Sequence, residues 1–112
     1  MISRAYESFY KNIKSLVLEN DFIKLIILPI GGRIVSIEHK IKKREFLIQQ
    51  GSKDYTFPKY GNNYTDFKPC GFDDMFPAIN ECFYENFPWK GHVVPDHGEL
   101  WGLNWNHFIE KI

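Results

Sequence analysis

No stretch of eight or more residues in this chain places apolar side chains at helical spacing, while short extended pieces recur between glycine and proline breaks. That pattern predicts an all-β fold. Ser15 to Glu19 is rich in β-formers, Asn20-Asp21 is a turn signal, and Phe22 to Leu28 is an apolar run interrupted only by Lys24, so the three together read as a hairpin. Pro29-Ile30-Gly31-Gly32 breaks it. Arg33 to His39 then resumes as a strand, with Ile34, Ser36 and Glu38 alternating against Val35, Ile37 and His39. Lys40, Lys42, Lys43 and Arg44 form a solvated turn before a strand from Glu45 to Gln49. Residues 1 to 12 have weak periodicity and take no assignment. Residues 50 to 69, with Gly51, Pro58, Gly61, Asn62, Asn63 and Pro69 among aromatics, read as a long ordered loop or two irregular strands. Short strands follow at Glu81 to Tyr84 and His92 to Val94, and a last one is expected over Leu103 to Ile109.

At 112 residues the chain is expected to form one folding unit. Its 14 basic and 14 acidic side chains cancel, which removes the electrostatic case for nucleic acid or an anionic membrane as partner. Charge is uneven along the chain: residues 1 to 50 hold nine Lys/Arg against five Asp/Glu, and residues 51 to 112 hold five against nine. A neutral polar ligand suits the acidic half better than an anion. Two cysteines, Cys70 and Cys82, and the lack of a signal peptide or membrane-length apolar run point to unpaired thiols in a reducing cytoplasm. Eight aromatics lie between Phe72 and Trp105, enough to offer a ring-shaped ligand a stacking surface as well as to pack a core.

Chemistry concentrates in Pro95-Asp96-His97-Gly98-Glu99-Leu100-Trp101, where a proline and a glycine shape a turn around two carboxylates, an imidazole and an indole. His97 can donate to or accept from a ligand oxygen near neutral pH, and Asp96 or Glu99 could orient it. A histidine that only caps its turn is the competing reading. A metal site built from His92, Asp96, His97 and Glu99, all within eight residues, is a second possibility of the cupin kind. The five-residue separation of the two histidines puts them on opposite faces of an extended segment, which counts against it. Nothing in the sequence places a base beside Cys70 or Cys82, so both thiols read as inert. Gly31-Gly32 lacks the spacing of a phosphate-cradling loop.

Three segments, in order and at matching separations, resemble the aldose 1-epimerase (galactose mutarotase-like) superfamily. They are Leu28-Pro29-Ile30-Gly31-Gly32-Arg33-Ile34-Val35-Ser36-Ile37, Gly71-Phe72-Asp73-Asp74-Met75-Phe76-Pro77-Ala78-Ile79 and the Pro95 to Trp101 turn. The resemblance spans Ser15 to Trp105 and corresponds to the N-terminal portion of such proteins. It implies an antiparallel β-sandwich, here partial, whose concave face binds a free monosaccharide and whose members interconvert anomers by acid/base ring opening without metal or organic cofactor. His97 is similar in position to the first of the family's two active-site histidines. Arg33, Asp74, Phe76, Asp96 and Trp101 would lie at or near the sugar cleft. The second histidine and the glutamate base of the family have no counterpart in the chain, His107 following the His97 turn too closely and Glu110 being terminal. Lys68 and Cys70 stand where many relatives place an arginine. A noncatalytic carbohydrate-binding module is therefore the rival reading, and unpaired strand edges predict self-association.

Overall fold

A computed structural model describes residues 2–67 and 70–110. Five strands, β1 (Arg4–Tyr10), β2 (Ile13–Glu19), β3 (Ile23–Leu28), β4 (Arg33–His39) and β5 (Arg44–Glu45), form one antiparallel sheet in chain order. Two more, β6 (Cys82–Phe83) and β7 (Val93–Val94), make a separate two-stranded antiparallel ribbon. The all-β, antiparallel expectation therefore holds, with single 3-10 turns at Tyr64–Asp66 and Leu100–Gly102 as the only helical pieces among the described residues. No helix among the described residues is long and apolar enough to cross a membrane.

The central strands follow from side-chain alternation. On one face of the sheet Val17, Ile26 and Leu28 turn inward, and Leu28, Val35, Tyr55 and Cys70 make a buried cluster against Tyr10, Ile13, Ile26 and Phe57. The segment after β5 thus crosses this face through Tyr55, Phe57 and Cys70. Leu16, Leu18, Leu25 and Ile27 alternate onto the other face, where Phe108 and Ile109 of the C-terminal segment lie against part of it.

A bulge decides what the core face receives. Pairing between β3 and β4 shifts after Ile26, so that Ile26 faces Ser36 but Ile27 faces Ile34, leaving Val35 as the extra residue. An inserted residue reverses which side chains point inward. Without it Ile34 would enter the core face and Arg33 would leave it; with it Arg33 lies opposite Leu28 and is buried.

The structure adds one strand where the sequence gives no assignment and corrects two expectations. Residues 4 to 10, left unassigned, are the edge strand β1, joined to β2 by Lys11-Asn12 with Lys11 at φ 53°. The strand expected over Glu45 to Gln49 stops at Glu45, because the Glu45 carboxylate accepts the Ile37 and Leu47 amides (2.9 and 3.0 Å) and takes over part of the ladder's work. Leu103 to Ile109 is not a strand: only Asn104 bridges, to Ile30. The Gly31 amide donates to the Leu103 carbonyl (2.7 Å) and the Trp105 amide to the Pro29 carbonyl (2.8 Å), which ties this segment to the β3–β4 turn rather than to a strand edge.

Candidate functional site

The β3–β4 turn, the segment from Gly71 to Ile79 and the His97 turn meet in one patch, although they lie far apart in the chain. Ile34 and Phe72 exchange backbone hydrogen bonds (3.2 and 2.8 Å), joining the second segment to β4. The Glu99 amide donates to the Phe76 carbonyl (2.7 Å) and the His97 amide to the Ile79 carbonyl (2.6 Å), joining the third segment to the second. Glycines make these approaches possible. A Cβ on Gly98, which has φ 83°, would run into the Phe76 carbonyl, and one on Gly31, at φ 70°, into the Trp101 carbonyl.

His97 adopts φ 61°, a left-handed conformation uncommon for a residue with a side chain. Its ring is held from several sides. Tyr64 stacks parallel to it with centroids 3.8 Å apart and planes 2° apart, and the Trp101 ring is tilted beside both at 5.7 Å. Asp96 accepts at one carboxylate oxygen from the Tyr64 amide (2.7 Å) while its other oxygen lies 3.0 Å from His97 Nδ1. The Tyr64 amide first, and the imidazole second, hold the Asp96 carboxyl below the usual carboxylate range. A carboxylate on Nδ1 favours the tautomer with the proton there, so Nε2 is the nitrogen a ligand would meet.

Beneath the patch runs a buried polar network. Arg33 donates from Nε to Asp73 and from Nη1 to the Tyr55 hydroxyl, and the Cys70 thiol donates to the same hydroxyl at 3.5 Å. Burial opposes the Arg33 charge, but the Tyr55 and Asp73 oxygens outweigh it and hold its pKa above the ordinary value. Burial lifts the Asp73 carboxyl above its usual range despite the attraction of Arg33, with His97 a further positive influence. Burial, and then the Cys70 thiol, push the Tyr55 hydroxyl well up, so it stays neutral.

The residues named from sequence fare differently. His97, Asp96 and Arg33 join one assembly, Arg33 as a buried support. Phe76 is exposed beside the turn. Asp74 is exposed, and its neighbour Asp73 is the carboxylate turned toward Arg33. Trp101, only 1% exposed, offers no open face and packs beneath His97 and Tyr64; its indole N–H has no hydrogen-bond partner among the described residues. Sequence reasoning missed Tyr64, Tyr55 and Asp73. Tyr55 and Tyr64 carry no signal beyond their aromatic character within an aperiodic loop, whereas Asp73 was visible as one of two adjacent carboxylates. Lys68 lies outside the described residues.

His92, Asp96, His97 and Glu99 do not gather into a metal site: among the described residues no three of His, Cys, Asp or Glu stand close enough to hold an ion. His92 instead meets Trp89 edge to face, and Glu99 accepts from the Tyr84 hydroxyl at 3.2 Å. Both thiols are unpaired, Cys70 buried and Cys82 exposed. The chain matches no family model, no curated protein and no solved structure.

Proposed function

We propose that this chain is a mutarotase-like protein that binds a free monosaccharide at the His97 turn. The sheet would form one layer of the sandwich, and the site would act in the reducing cytoplasm, where unpaired Cys70 and Cys82 persist. Chief support comes from the meeting of the three segments that carry the resemblance, hydrogen-bonded through Ile34–Phe72 and Phe76–Glu99 around one oriented imidazole. A pyranose is neutral, has hydroxyls for Nε2 of His97 and an apolar face for an exposed ring such as Phe76.

Ring opening of an aldose needs a base at the anomeric hydroxyl and an acid at the ring oxygen. His97 supplies the second role when its Nε2 is protonated, with Asp96 stabilising the imidazolium, and a water molecule takes the anomeric proton in place of the family's glutamate base. Arg33, Asp73 and Tyr55 act below the site as support for the segment that carries Phe76, without touching sugar. Neither metal nor organic cofactor enters this scheme. The competing reading, a noncatalytic sugar-binding module, draws on the same exposed aromatics and keeps His97 as a hydrogen-bonding group only.

Polarimetry of freshly dissolved α-glucose and α-galactose separates these readings. Protein-dependent acceleration that falls roughly a hundredfold or more in His97→Ala is the expected result for the catalytic scheme, that being the lower end of what one acid/base group contributes. Acceleration unchanged in His97→Ala would remove His97 from the chemistry. Sugar binding with no acceleration would move the function to the noncatalytic module.

A further inference from the structure

The chain exposes 8281 Å² of surface, whereas a compact monomer of its mass exposes only about 6,500 Å². Its radius of gyration is 16.2 Å, against about 13 Å for a compact chain of the same length. The excess, about 1,800 Å², is about twice what each partner buries in a standard stable interface. Surface is thus left over for a partner, and the edge of the sheet shows where one fits.

Among the described residues nothing pairs with the outer side of β1, a seven-residue strand that lacks the lysines, prolines and bulges by which exposed edges are usually blunted. Exposed apolar groups flank it on both faces: Ile2 and Phe9 are 76% and 67% exposed, and Tyr6 is also open. On the face that carries Phe9, a groove of about 970 Å³ lined by Ser3, Ala5, Leu18, Ile23, Leu25 and Ile109 runs beside the strand.

We propose that this edge pairs antiparallel with the same edge of a second copy, about a twofold axis passing through Tyr6. An axis perpendicular to the sheet keeps each residue on its own face, so only registers that set a residue against itself are open. Centred on Tyr6, the register pairs all of residues 2 to 10: Ile2 with Tyr10, Ser3 with Phe9, Arg4 with Ser8 and Ala5 with Glu7. No like charges face each other. Centring on Glu7 would set two carboxylates directly opposite, and centring on Ala5 would carry Glu7 to Tyr10 past the start of the partner's β1, where the Tyr6 register carries only Phe9 and Tyr10 past it. In the Tyr6 register the Phe9 ring of each copy comes opposite Ser3 at the groove of the other, where it removes apolar surface from water. The result is a continuous ten-stranded sheet.

Sedimentation velocity over a concentration series tests the pairing, with Tyr6→Lys and two cysteine variants alongside. The expected result is reversible dimerisation of the full chain that Tyr6→Lys weakens roughly tenfold or more, because two ammonium groups then face each other across the axis. Tyr6→Lys is also checked for an unchanged unfolding transition. In a Cys82→Ser background, Tyr6→Cys should form an intermolecular disulfide on mild oxidation. Directly opposed residues have Cα atoms about 4.5 to 5.5 Å apart, within disulfide reach. Phe9→Cys should not, since it faces Ser3. A wild-type chain that stays monomeric, a dimer that a folded Tyr6→Lys leaves intact, or equal cross-linking at positions 6 and 9 would overturn the proposal. The cross-linking arm decides it even where Tyr6→Lys does not fold.

Discussion

Gly98→Ala is expected to destabilise the protein by roughly 2 to 5 kcal/mol, measured as a lowered urea midpoint with an unchanged slope. Two effects add. Gly98 has φ 83°, which an alanine adopts only at a cost of about 1 to 2 kcal/mol. Its new Cβ would also collide with the Phe76 carbonyl, the acceptor of the 2.7 Å hydrogen bond from Glu99. The atoms it would meet are Phe76 backbone, so relief requires the two segments to part. Gly91→Ala is the control: its φ is 85°, but an added Cβ meets nothing within 4 Å, so only the conformational cost applies. Equal losses for the two variants would show that the close approach of Gly98 to Phe76 carries no energy.

Arg33→Leu should be comparably damaging at neutral pH, with a loss of about 3 to 5 kcal/mol, because it strands the Asp73 carboxylate in a buried place without its cation. The variant also carries a distinctive pH dependence. Burial already raises the Asp73 pKa, and losing Arg33 removes the main opposing influence, so the folded variant holds the proton more tightly than the unfolded chain. Where the folded state binds more protons than the unfolded state, stability falls as pH rises. The deficit of Arg33→Leu relative to wild type should therefore be smallest near and below the ordinary carboxylate range and grow as pH climbs through the raised Asp73 value. Adding Asp73→Asn removes the titrating group and should flatten that growth. A deficit independent of pH would mean that Asp73 is not the group stranded.

Much of the sheet was legible in the sequence because β3 is an apolar run, β4 alternates, and Pro29 and Gly31-Gly32 separate them. β1 was not, since its edge position lets Arg4, Glu7 and Ser8 share its two faces with Tyr6 and Phe9, and its turn to β2 contains no glycine. The bulge at Val35 was equally hidden. Alternation through Arg33–His39 looks regular in the sequence, and only pairing with Ile26 and Ile27 reveals the extra residue that sends Arg33 inward. At the site, glycines and the proline of Pro95–Trp101 announced a shaped turn, and the structure supplies it with a histidine in the left-handed region. Which of Asp73 and Asp74 faces inward, and that Tyr64 stacks on His97, depend on long-range packing that a local pattern does not encode.

The proposed binding of a sugar at the His97 turn is tested most directly by following the ring resonances of all four histidines by NMR while glucose or galactose is added. His39, His92 and His107 lie outside the Pro95–Trp101 turn and serve as internal references. Saturable shifts of the His97 ring signals with at least one of the two sugars are expected, while the other three histidines stay in place. Histidine signals that do not respond to either sugar, or four that drift together in proportion to concentration, would contradict it.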